Sequence, residues 1–158
     1  MKLQNPIDPN VALQRAAGLC AKSEYCEYEI REKLFRWGIN KNDSDKIIEY
    51  LIANNFIDEF RFAIAYTKDK YRFNGWGFNK IKSYLLHLGM STQAIRKGSE
   101  AIDENEYFDC LYRQLSTKCR NLNLSDYKQK MKIFKYLQSR GYEPNLINDA
   151  IVKYMNNK

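Results

Sequence analysis

Apolar side chains return every three or four residues along almost the whole chain, and strictly alternating runs are nearly absent. That period is the one a helix imposes, because residues three and four apart share a helical face. With 3 Pro and 7 Gly in 158 residues there is little material for β-turns. The pattern predicts an all-α protein.

Three segments of the pattern resemble one another. Ile30–Ile39 reads "IREKLFRWGI", Ile81–Met90 "IKSYLLHLGM" and Ile133–Tyr142 "IFKYLQSRGY", each of the form I-x3-L-x3-G followed by an apolar residue. Gly38, Gly89 and Gly141 lie 51 and 52 residues apart, a spacing that marks an array of small helical units. Glycine suits the position after a helix because the chain there turns left-handed, which costs a residue without Cβ nothing. With the glycine at that stop, Leu34 should touch Ile39, Leu85 should touch Met90, and Leu137 should touch Tyr142. A second helix should then begin, capped by Ser91 in one case and opened by Glu143-Pro144 in another. In the first unit "NKNDS" is expected to lengthen the connection by about three residues, with Asn42, Asp43 or Ser44 as the cap. A further helical stretch precedes each pair, at roughly 10–21, 58–73 and 105–121.

Nine helices then fall into three tandem three-helix repeats: 10–56, 57–103 and 104–158, after an N-terminal tail of residues 1–9. A unit of that size buries little by itself, so stacking should join the units into an elongated, curved helical array. In the stretch after Asp58, the expected cap, Arg61, Lys68 and Arg72 fall within about 40° of one another on a helical wheel. Phe62, Tyr66 and Phe73 form a second line, and Phe60, Ile64 and Tyr71 a third. The two aromatic lines flank Ala63 and Thr67, which places a broad buried face opposite an outward basic stripe.

Charge adds a second pattern. The chain carries a net +7, distributed as −2 over residues 1–60, +5 over 61–82, −3 over 83–112, +7 over 113–140 and 0 thereafter. The first basic block holds Arg61, Lys68, Lys70, Arg72, Lys80 and Lys82, with Trp76 set between Gly75 and Gly77 as either an exposed contact or a cover over the core. The second block includes Lys128, Lys132 and Lys135, spaced to share one face. Together these residues are the candidate partner or DNA contacts, suited to phosphates in a sequence-independent, salt-sensitive mode. No zinc finger, RRM or P-loop pattern is present to read bases or cradle a nucleotide.

Catalysis finds little support. His87 is the only histidine and sits before the Gly89 stop, where a structural role is expected. Cys20, Cys26, Cys110 and Cys119 match no metal-binding spacing, and free thiols in a reducing cytoplasm account for them. Asp58/Glu59 and Asp103/Glu104 stand where helices begin, so capping explains them. No cofactor, metal or membrane span is expected, and "MKLQNPIDPN" lacks the apolar run of a signal peptide. The chain reads as a cytoplasmic non-enzyme.

The run Phe56-Ile57-Asp58-Glu59-Phe60-Arg61-Phe62-Ala63 resembles the hydrophobic-hydrophobic-D-D-x-R-F-A signature of the RecX family. The likeness continues through Tyr66 and Gly75-x-Gly77-x3-Ile81-x3-Leu85-x3-Gly89-Met90, and the earlier run from Ala16 to Gly38, with Ser23-Glu24 and Leu34, is also similar. It covers roughly residues 12–155, dense in the first two repeats and thin in the third. Two departures are Glu59 in place of the second Asp and the longer connection expected after Gly38. The resemblance implies three tandem three-helix repeats and a regulator of the RecA recombinase. Such proteins bind RecA–single-stranded-DNA filaments, lodge in the helical groove, and inhibit ATP hydrolysis, strand exchange and co-protease action. A monomer is the simplest form for that role. A DNA-binding protein acting without a recombinase is the alternative the charge pattern leaves open.

Overall fold

A computed structural model describes residues 5–158, so Met1–Gln4 of the expected tail lie outside the described residues. Among the described residues there are nine helices and no strand: α1 (Pro9–Lys22), α2 (Glu27–Arg36), α3 (Lys41–Ala53), α4 (Glu59–Phe73), α5 (Phe78–His87), α6 (Thr92–Glu100), α7 (Glu104–Lys118), α8 (Tyr127–Ser139) and α9 (Pro144–Asn156).

Local chemistry sets the ends of these helices. The carboxylates of Asp8, Asp58, Asp103 and Asp126 and the side-chain oxygens of Asn40 and Ser91 accept from backbone N–H groups of the first turns that follow them. The three glycine stops form as the repeat demands, with φ of +79° at Gly38, +80° at Gly89 and +100° at Gly141. Behind them the N–H groups of Ile39, Met90 and Tyr142 donate to the carbonyls of Leu34, Leu85 and Leu137 at 3.0, 3.0 and 3.2 Å. All six of these side chains are buried. This is the Schellman arrangement, and its apolar pair closes each helical hairpin.

One expectation is corrected at the first stop. Asn40, directly after Ile39, caps α3 through its side chain at 2.8 Å from the Asp43 N–H, so the connection is not lengthened. The stop-to-cap spacing is therefore the same in all three units. Ser44 cannot cap because it is buried one turn inside α3. The aromatic lines of α4 also need correction. Phe62, Ala63, Thr67 and Tyr71 are buried, whereas Phe60 is 42% and Phe73 80% exposed. The small residues at the centre of that face allow close packing on α6, where a Cβ at Gly98 would come within 2.6 Å of Thr67 Oγ1.

The buried residues form two clusters. One lies among the first three helices and the connections after α2 and α3, and includes Ala12, Ala16, Ile30, Leu34, Ile48 and Leu51. The other runs continuously through the remaining six helices, from Phe62 to Ile151, and takes in Cys26 from the first unit. An accessible surface of 9988 Å² exceeds the roughly 8,300 Å² expected of a compact monomer of 18.8 kDa. The excess fits an elongated stack of small units.

Candidate nucleic-acid and partner interface

The junctions between units decide where the basic residues go. Arg61, in the first turn of α4, reaches back to the loop between α1 and α2. Its Nε donates to Glu24 at 2.5 Å, and its terminal nitrogen donates to the carbonyls of Asn55 at 2.9 Å and Phe56 at 3.3 Å. Arg72, in the last turn of α4, donates through two nitrogens to Glu106 at the start of α7, at 2.6 and 3.1 Å. This two-pronged pair raises the arginine and holds the Glu106 carboxyl below its ordinary value, chiefly through the hydrogen bonds. The two ends of the expected basic stripe thus cross-tie successive units with the charge order exchanged.

The lysines behave differently. None of Lys68, Lys70, Lys80, Lys82, Lys128, Lys132 and Lys135 enters an ion pair among the described residues. Lys70 and Lys80 lie over the Trp76 ring, 4.8 and 4.5 Å from its centroid, and Tyr84 packs against the same indole at 4.9 Å. Trp76 is half-buried and packs on the larger core, so it covers that core while anchoring two ammonium groups at its surface. Lys68 is half-buried, and Lys82 is exposed beside a shallow depression lined by Phe78, Leu86 and Arg96. Lys128, Lys132 and Lys135 are exposed along α8.

The second junction brings the two basic blocks together. The C-terminal end of α8 abuts the N-terminal end of α5: the Gly77 N–H donates to the Arg140 carbonyl at 2.8 Å and the Asn79 N–H to the Gly141 carbonyl at 3.0 Å. A Cβ at Gly77 would stand 2.1 Å from the Gly141 carbonyl carbon, so only glycine permits this approach. The Arg140 guanidinium donates to the carbonyl of Asn74. Beneath it, Gln114 Nε2 donates to the Gly75 carbonyl at 2.8 Å and to the Tyr142 hydroxyl at 2.7 Å, while the Tyr107 hydroxyl accepts from the Phe78 N–H at 2.9 Å and donates to Glu143 at 2.7 Å. Burial pushes the Tyr107 and Tyr142 phenols up, so they stay neutral and able to donate. From Arg140 back to Lys128 the helix runs about 18 Å, so the α8 lysines form a row leading away from Lys80 and Trp76.

The first junction has no such closure. Where α5 ends near the start of α2, a cleft of about 310 Å³ opens, lined by Cys26, Tyr28, Arg31, Ile57, Gly89 and Met90. A Cβ on Gly89 would meet nothing within 4 Å. His87 is exposed there and packs on Tyr28 with ring centroids 5.6 Å apart. Burial raises the Cys26 thiol to about 12, which leaves it inert. Among the described residues no cluster of three His, Cys, Asp or Glu could hold a metal, and no helix is long and apolar enough to cross a membrane. Sequence reasoning named the lysines and Trp76 as candidates but did not anticipate the Gly77–Gly141 contact that joins their blocks. The paired glycines of "NGWG" were its only trace.

Comparison with known proteins adds a lineage. A family model described as the first three-helix domain of RecX matches residues 12–51, and one described as the third matches 104–151. The third unit, thin in the motif comparison, is therefore recognisable in its own right. Regulatory protein RecX of Clostridium beijerinckii is 31% identical over 146 residues, covering 90% of this chain and 67% of the relative. The Clostridium perfringens protein is 29% identical over 140 residues, covering 87% and 65%, and that of Pasteurella multocida 28% over 134 residues, covering 84% and 81%. The chain spans a little under two thirds of the length of several of the clostridial relatives. The crystal structure of RecX from Lactobacillus salivarius superimposes with a TM-score of 0.78 at 16% identity, covering 95% of this chain and 97% of that one, a likeness of fold.

Proposed function

We propose, since the chain belongs to the RecX family of regulatory proteins, that it is a non-enzymatic regulator of RecA. It binds the RecA–single-stranded-DNA filament and restrains ATP hydrolysis, strand exchange and co-protease action. The family relationship is the observation that carries this reading. Three further features support it: an extended body, a set of lysines that enter no ion pair among the described residues, and a junction that brings two basic blocks side by side.

The candidate residues divide by what they already hold. Lys68, Lys70, Lys80 and Lys82, with Lys128, Lys132 and Lys135 on α8, have ammonium groups available for phosphates or acidic side chains of the filament. Trp76 fixes two of them in place. Arg61 and Arg72 contribute through the architecture, keeping the three units in line so that those lysines meet a long partner at once. The contacts are to backbone phosphate and protein surface, so no base sequence is selected.

Reversing two charges tests this division. Lys68→Glu with Lys82→Glu should weaken inhibition of RecA's DNA-dependent ATP hydrolysis while far-UV circular dichroism stays unchanged. Full inhibition by the double variant would remove the lysines from the interface. Tight, steeply salt-dependent binding to bare DNA with no effect on RecA would favour the stand-alone DNA-binding reading instead.

A further inference from the structure

We propose that the cleft between the second and third units is a subsite for single-stranded nucleic acid, one that takes a backbone phosphate at Arg113 and Arg140 and stacks the adjoining base on Phe73. It deepens, and rests on, the nucleic-acid side of the function proposed above.

The cleft has a volume of about 290 Å³, ample for a phosphate group, and three arginines line it: Arg72 from α4, Arg113 from α7 and Arg140 at the C-terminal cap of α8. Arg72 is already neutralised by Glu106 and serves as a wall. Arg113 is exposed and enters no ion pair among the described residues, so its guanidinium is available. Arg140 donates to the Asn74 carbonyl, but its Nε is buried with no hydrogen-bond partner. The Asn74 contact fixes the Arg140 guanidinium at the wall of the cleft. Guanidinium forks match the oxygens of a phosphate in pairs, which a lysine cannot do.

A carboxylate would satisfy the same forks, so the aromatic wall decides the ligand. Phe73, which also lines the cleft, is 80% exposed, the most exposed large apolar side chain among the described residues. It directly follows Arg72 at the end of α4. An exposed ring beside an anion site suits a nucleotide, whose phosphate and base lie on one short tether, and it offers nothing to an acidic side chain. Stacking on the ring is tolerant of sequence, because every base has a π face. The cleft also lies where the two basic blocks meet, beside the C-terminal end of α8.

The test uses the full chain and a fluorescein-labelled oligothymidylate, with anisotropy followed across a salt titration. Arg113→Ala should flatten the log–log salt slope by about 0.7, the loss of one phosphate contact on a single strand. Phe73→Ala should leave the slope unchanged and lower affinity roughly five- to 150-fold, the range for one lost base stack. Phe73→Trp should restore it. Both side chains are exposed, so the variants keep the fold, which circular dichroism checks. The inference is overturned if the unmodified chain does not bind the oligonucleotide. It is also overturned if Arg113→Ala leaves the slope unchanged and Phe73→Ala the affinity, or if polyglutamate displaces the oligonucleotide as readily as unlabelled DNA does. RecA ATP hydrolysis measured alongside separates the two ideas. Absent inhibition with intact, variant-sensitive oligonucleotide binding counts against the filament reading and leaves the subsite standing.

Discussion

Gly77→Ala should be among the most damaging single-methyl additions possible in this chain. Gly77 has φ −77°, so alanine suits its backbone and the entire cost is steric. The new Cβ would lie 2.1 Å from the Gly141 carbonyl carbon and 2.2 Å from the Tyr142 nitrogen, both backbone atoms that no rotamer change can move. The units must separate there, breaking the Gly77-to-Arg140 and Asn79-to-Gly141 hydrogen bonds. Two such bonds contribute about 2 kcal/mol, and overpacking adds about 1–3 kcal/mol. The sum, about 3–5 kcal/mol, is a large share of the ~5–15 kcal/mol that stabilises a domain. At about 2–4 °C per kcal/mol for a chain of this size, the midpoint of thermal unfolding should fall by roughly 6–20 °C. Gly89→Ala is the control. Gly89 ends its helix as Gly141 does but faces the open cleft, so only left-handed strain opposes alanine, about 1–2 kcal/mol. Urea denaturation followed by far-UV circular dichroism measures both. If Gly77→Ala lies within 1 kcal/mol of the unmodified chain, or is milder than Gly89→Ala, the close docking of the second and third units is wrong.

Three more predictions rest on the same junctions and on pairing and burial. Because the first unit has its own core, urea should unfold it before the rest: Trp37 fluorescence in a Trp76→Phe background should change at lower urea than the ellipticity of the whole, and Arg61→Ala should widen the gap by about 1–2 kcal/mol. Coincident transitions would refute that independence. Glu106 is held below its ordinary value of 4.5, so its stabilisation is present above that pH and lost as pH falls through the depressed value; the stability difference between the unmodified chain and Glu106→Gln should shrink on acidification below pH 4.5, and a constant difference would show that the Arg72 pair does not form. Burial raises the Tyr66 phenol to about 12 and pushes Tyr107 and Tyr142 up as well, so stability should be full below pH 10 and decline as pH rises towards 12, with phenolate absorbance for these residues appearing only on unfolding. Their titration at the ordinary value of 10.0 would contradict their burial.

The repeat was legible because it rests on local rules. A left-handed stop needs glycine, a cap needs a short polar side chain, and a core-facing pair needs the i, i+5 spacing across the stop, so Leu34/Ile39, Leu85/Met90 and Leu137/Tyr142 could be read from letters alone. Where two local rules compete the reading slipped. "NKNDS" offers several capping residues after the first stop, and only packing shows that Asn40 takes the role while Ser44 is buried. The basic stripe was legible as composition, but its use was not. Arg61 and Arg72 look like Lys68 in sequence, and what separates them is Glu24 and Glu106 brought in from 37 and 34 residues away. The exposed Phe73 and the Gly77–Gly141 approach depend on how units stack, which no single window of sequence contains.

The central claim, regulation of a RecA filament, is tested most directly by titrating this protein into DNA-stimulated ATP hydrolysis by RecA from the same source at constant salt. The account predicts inhibition well below one molecule per RecA subunit, because a protein seated in a filament affects many subunits at once. Undiminished hydrolysis at equimolar protein, with tight binding to bare DNA in a parallel sample, would contradict it.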